Sequence, residues 1–208
     1  MHRPHWLDFL FPPRTDEIEL RSVSADTFLA LTIPHLVPVT RPGTIVLLPF
    51  NNNSVRSAIH EAKYHGNEHA FTLLAGALNP YLHRANVMST AKTGLVVLIP
   101  VPLGGKRRKK RGFNQIEEIT RRAVEGLNIV IDTTLLERSR ETTSQISLPR
   151  HTREENMRGA FRTTRCADPA NTYVLIDDVV TTGATLQAAI EALRGAGAKH
   201  IIPLALAH

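Results

Sequence analysis

Two adjacent acids, Asp177 and Asp178, end the apolar run "TYVLIDD", and a threonine-rich turn, "VVTTGAT", follows at once. A run of that kind, rich in β-branched residues, reads as a buried strand. A strand that runs into a turn and then a helix leaves unpartnered backbone N–H groups at the helix start, where the helix dipole also favours an anion. Gly183 lets the backbone approach an oxygen closely, and the hydroxyls of Thr181, Thr182 and Thr185 add donors. The stretch therefore reads as a phosphate cradle with two carboxylates in front of it. Carboxylates accept hydrogen bonds from hydroxyls and repel a second phosphate, so the matching ligand has a phosphate at one end and hydroxyls beside it. A ribose 5-phosphate has that layout.

Competing readings fit less of the stretch. No GxxxxGK[ST] is present, which disfavours a nucleoside-triphosphatase loop. Acid pairs also end strands in the magnesium sites of receiver domains and haloacid-type phosphatases. Those sites lack a Thr-Thr-Gly turn directly behind the pair, and there is no DxDx[TV] here. One geometric condition applies: neighbours on a continuing strand point to opposite faces, so both acids reach one ligand only if the strand ends or twists there.

The surrounding elements must deliver these residues to one place. The 208 residues fit one ordinary domain with an N-terminal segment, and 42% hydrophobic content supports a real core. Residues 1–44 are interrupted by Pro4, Pro12, Pro13, Pro34, Pro38 and Pro42 and carry weak patterning. A helical period runs from about Ser54 to Tyr81, "GLVVLIPVP" reads as a buried strand, and a helix is expected over Asn114–Glu125. "NIVIDTTLLER" is a further strand candidate, and Ser139–Arg158 reads as a long loop. The third strand, "TYVLID", precedes a helix from about Thr185 to Arg194, and "IIPLALA" ends the chain as the last strand. This alternation predicts an α/β fold, a parallel sheet flanked by helices, with ligands beyond the carboxyl ends of the strands.

The net charge is +6, and "KRRKKR", Lys106–Arg111, places six cations in succession. A basic run of this kind is either a solvated loop or an anion site for a polyphosphate or a nucleic-acid backbone. Phe113 is the only aromatic residue close to it, which argues against a dedicated stacking platform for single strands. The single Cys166 rules out a disulfide framework, and the ten histidines are scattered along the chain, so no metal site is expected from them. No apolar run reaches membrane-spanning length and the first residues lack the features of a signal peptide, so a cytoplasmic protein without membrane insertion is expected.

The acid pair and its turn closely resemble the phosphoribosyl pyrophosphate loop of type I phosphoribosyltransferases. Further segments resemble the ComF family, phosphoribosyltransferase-like proteins linked in several bacteria to DNA uptake during competence. These are "AKYHG" (Ala62–Gly66), "LIPVPLGGKRRKKRGFNQ", the pattern Arg138-x-x-x-Thr142-x-x-Gln145-x-x-Leu148, and Arg153-x-x-Asn156-x-x-Gly159-Ala160-Phe161. The opening "LDFLFPPR" also fits, but Thr15 stands where that family usually begins a cysteine zinc ribbon, and no other cysteines follow. Residues 1–44 thus look like a cysteine-free relic of that region, a hood segment before a phosphoribosyltransferase-like domain at 45–208, and no zinc is expected.

The resemblance implies a type I phosphoribosyltransferase-like fold and transfer of a phosphoribosyl group with release of pyrophosphate. It places Asp177 and Asp178 on the ribose hydroxyls, and Thr181, Thr182, Gly183, Ala184 and Thr185 on the 5-phosphate. It places Leu103, Gly104, Gly105, Lys106 and Arg107 at the pyrophosphate with Arg111 beside them, and Arg138, Thr142 and Gln145 in a lid. Asp177, Asp178, Arg107 and Arg111 are the residues implied for catalysis. Mg²⁺ is expected mainly through ligand oxygens and water, with Asp177 and Asp178 the residues able to reach it. The acceptor is not named by the sequence, and the N-terminal part is the expected hood. The alternative is a non-catalytic or DNA-handling factor whose partner is single-stranded DNA or the DNA-uptake machinery. Oligomeric state is left open.

Overall fold

The computed structural model describes residues 14–89, 94–140 and 157–208. Its centre is a six-stranded sheet built from β1 (His35–Val37), β2 (Thr44–Leu48), β3 (Val96–Pro100), β4 (Val130–Ile131), β7 (Thr172–Val179) and β8 (His200–Ala207). Their order across the sheet is β1-β2-β8-β7-β3-β4, and every pairing is parallel except β1 with β2. A two-stranded antiparallel ribbon, β5 (Leu136–Arg138) and β6 (Phe161–Thr163), lies apart from it. This is the mixed α/β, mostly parallel architecture of the type I phosphoribosyltransferases.

Helices cover both faces. α1 (Thr15–Arg21), α2 (Ala25–Leu29), α3 (Asn53–His65), α4 (Glu68–Ser89) and α6 (Gln115–Ala123) share one core with Val174 and Ile176 of β7. α7 (Ala184–Gly195) and the ribbon share the other core with Tyr173 and Leu175. The alternation along β7 therefore sends successive residues to opposite layers.

Several elements differ from the sequence expectation for local reasons. The helix expected over 54–81 is two helices. Gly66, at φ 59°, ends α3, and the Asn67 side chain accepts from His69 N–H (3.0 Å) and Ala70 N–H (3.2 Å), which starts α4. "NIVIDTTLLER" divides because Asp132 turns the chain, its Oδ1 accepting from the N–H groups of Thr134 and Leu135 (both 2.9 Å). The basic run is a helix, α5 (Gly105–Arg111), not a loop. The proline-broken N-terminal stretch holds α1, α2 and β1, which the weak patterning did not reveal.

Candidate functional site

The carboxyl ends of β3 and β7 open into a cleft of about 630 Å³, within the range of small-molecule sites. Asp177 and Asp178 both line it. β7 continues through both acids, since Asp177 pairs with Ala205 and Val179 with Ala207. The acids reach one cleft because it spans the end of the sheet, not because the strand stops before them. Asp178 points into the layer of α3 and α6. There its Oδ2 accepts from Lys63 Nζ (2.8 Å) and Gln115 Nε2 (2.6 Å), while its Oδ1 accepts from Val179 N–H (2.7 Å). Asp177 accepts from Asp178 N–H at Oδ1 (2.9 Å).

These partners set the charges. Burial and the neighbouring Asp178 carboxylate push Asp177 up to about 7. Burial acts on Asp178 in the same direction, but Lys63 and Gln115 outweigh it and hold that acid below its ordinary value. Burial pulls the Lys63 ammonium down, and Asp178 more than restores it, leaving it above its ordinary value.

The residues singled out in the sequence are brought together in part. Thr181, Thr185, Leu103, Arg107, Arg111 and Arg138 line the cleft with the acids. Thr182, Gly183 and Ala184 instead line a smaller neighbouring cavity with Val39. The structure gives a reason for glycine at 183: its φ is 77°, and a Cβ there would stand 2.3 Å from the Val39 carbonyl oxygen. That close approach is to the N-terminal segment. Gly183, at the N-cap of α7, makes no side-chain capping bond, and Thr182 Oγ1 accepts from Ala184 N–H (3.4 Å) in the first turn. Gly104, Gly105 and Lys106 lie where β3 hands over to α5, outside the cleft lining. Thr142 and Gln145 lie outside the described residues.

α5 holds its cations through specific partners. Arg108 pairs with Glu117 (3.2 Å), and Arg111 donates to Gln115 Oε1 (3.1 Å) while its guanidinium sits 4.9 Å over the Tyr64 ring. Arg111, Gln115, Asp178 and Lys63 thus form one connected chain across the cleft. Lys63 and Gln115 lie in the sequence segments "AKYHG" and "GFNQ", yet neither had an assigned role. Their link to Asp178 spans long sequence separations that no local spacing reveals.

The opposite wall comes from α3, which contributes Arg56, Ile59, His60, Lys63 and Tyr64, joined by Phe50. Among the described residues, none of 14–44 lines the cleft. Also on α3, His60, Glu61 and His65 bring potential metal-ligating atoms within 4.8 Å of one another. The Glu61 oxygens are already taken by Arg14 (2.8 and 2.6 Å) and Asn67 (3.1 Å), so the group is an ion-pair network.

The phosphoribosyl transferase domain family matches residues 96–208, just over half of the chain and all of the strands that carry the acids and the turn. The chain belongs to that family. Among curated proteins it is similar to the DNA utilization protein YhgH of Salmonella typhi, 33% identical over 116 residues, 54% of this chain and 51% of the relative. Competence protein F of Haemophilus influenzae is 32% identical over 106 residues, covering 50% and 46% of the two chains. YhgH of Escherichia coli K12 is 30% identical over 131 residues, covering 62% and 56%. Family match and relatives together make the chain a ComF-type, phosphoribosyltransferase-like protein, and it spans about half the length of the curated relatives it matches. Among the described residues, no helix is long and apolar enough to cross a membrane.

Proposed function

We propose that the cleft binds phosphoribosyl pyrophosphate and that the protein is a phosphoribosyltransferase. The observation that carries this reading is the meeting, in one cleft, of an acid pair, Thr181 and Thr185 from the turn into α7, and two arginines from α5. The acid pair faces the ribose hydroxyls, the Thr181–Thr185 turn takes the 5-phosphate, and Arg107 and Arg111 neutralise the pyrophosphate. A nucleophile forms a bond to the anomeric carbon as the carbon–oxygen bond to pyrophosphate breaks, with its electron pair leaving on the pyrophosphate. The chain's own part is positioning and charge neutralisation.

The donor set suits Mg²⁺ held largely by the ligand. Asp178 is occupied by Lys63 and Gln115, so Asp177 is the carboxylate with capacity to spare. When bound, the ion would offset charge on the diphosphate. Calorimetric titration with phosphoribosyl pyrophosphate, with and without magnesium, on wild type and an Asp177→Asn/Asp178→Asn double variant tests the reading. Magnesium-dependent binding that the double variant loses supports it, and no binding by wild type removes it.

A second reading, a DNA-handling role, draws on the names of the relatives and on Lys109 and Lys110, which are exposed on α5 away from the cleft lining. It expects DNA affinity that falls steeply with salt, with a shallower slope in Lys109→Gln/Lys110→Gln.

A further inference from the structure

The two acids of the pair have different surroundings. Asp178 accepts three hydrogen bonds from protein groups, two of them from side chains on the walls of the cleft. Among the described residues, Asp177 accepts one, from the backbone of its neighbour. A carboxylate whose oxygens are filled by an ammonium, an amide and a backbone N–H has little capacity left for a ligand's hydroxyls. The groups on Asp178 also lead outward. Lys63 is the inward cation of α3, and Gln115 opens α6 and accepts from Arg111 on α5. Moving Asp178 would therefore release both walls.

We propose that the acids divide the work: Asp177 meets the ligand's hydroxyls, and Asp178 is the anchor on which Lys63 and Gln115 set the two sides of the cleft. Lys63 is thereby a positioning residue of the site, supplied from outside the segment that the family matches. This rests on the ribose-phosphate reading above.

The experiment is a double-mutant cycle on phosphoribosyl pyrophosphate binding with magnesium, using Asp177→Asn, Asp178→Asn, Lys63→Met and Lys63→Met/Asp178→Asn. Asp177→Asn loses a direct acceptor and is expected to weaken binding about 10- to 100-fold. Asp178→Asn and Lys63→Met each weaken it about tenfold, and their combination is no worse than the weaker-binding single variant, because both remove one shared contact. Lys63→Arg keeps the cation and restores most of the affinity, which a volume-filling role for Lys63 would not explain. Thermal melts confirm folding of each variant, and Lys63→Gln replaces Lys63→Met if the latter fails to fold. Losses that multiply in the combined variant, or full affinity in Lys63→Met, overturn the division of work while the ribose-phosphate reading stands. Absence of binding by wild type overturns both.

Discussion

Glu61 has no exposed side-chain surface, yet three parts of the chain converge on it: Arg14 before α1, Asn67 at the start of α4, and α3 itself. Burial raises its carboxyl, but the Arg14 guanidinium and the Asn67 amide outweigh that and hold it below its ordinary value. Two residues further along α3 is Lys63, so the network that fixes Glu61 also fixes the helix that presents the cation to Asp178. Glu61→Gln keeps the shape and loses the charge, and is expected to cost about 2 kcal/mol in denaturant unfolding at neutral pH. The folded-state value lies below the unfolded one. The contribution is therefore present above about pH 4.5 and is lost as pH falls through the folded value. The stability gap between wild type and Glu61→Gln should close on acidification below that range, and a gap that persists unchanged at pH 3 would show that the charge is not its source.

At the scale of elements, the turn between β7 and α7 is shaped from two sides. Gly183 has a left-handed backbone and packs against the Val39 carbonyl, whereas Gly112 has a similar φ of 80° with nothing near the place a Cβ would occupy. Gly112→Ala should therefore cost only the backbone penalty, about 1–2 kcal/mol. Gly183→Ala adds a collision with backbone and should cost clearly more, while also shifting the turn and weakening phosphoribosyl pyrophosphate binding. Urea midpoints for the two variants make the comparison, and equal losses would mean that the Val39 contact yields without cost. The same pair shows what the sequence makes legible. That glycine is required at 183 follows from the turn motif, but the reason for it, a carbonyl far away in the chain, is visible only in three dimensions. Asp177, Asp178 and the strand beneath them were readable because their chemistry and hydrophobic pattern are local. The break at Gly66 and the helical form of the basic run were not. Each side of Gly66 is helically spaced, which masks the break unless the phase of the apolar face is followed across it, and six adjacent cations disfavour a helix until Glu117, Gln115 and the Tyr64 ring partner them.

For the molecule as a whole, the boundary of the family match at residue 96 is not a boundary of the fold. β8, the last strand, lies between β7 and β2, and β2 precedes the matched segment by nearly fifty residues. One entire face of the sheet is covered by α1–α4 together with α6, and Leu47, Leu48, Val55, Leu74, Leu78 and Leu82 are fully buried there. Each such side chain stabilises by about 1.5–3 kcal/mol when buried, so exposing the partners of these six would remove as much as a typical domain has in total, about 5–15 kcal/mol. A fragment beginning at residue 94 would also expose β8 as an unpaired apolar edge, a template for association. Such a fragment is expected to show no cooperative thermal transition by circular dichroism and to aggregate. A chain beginning at residue 14 should melt cooperatively and bind phosphoribosyl pyrophosphate as the full chain does. A cooperative transition in the shorter fragment would show that the family segment folds by itself, and Lys63 would then be an addition to the site rather than part of the unit that forms it.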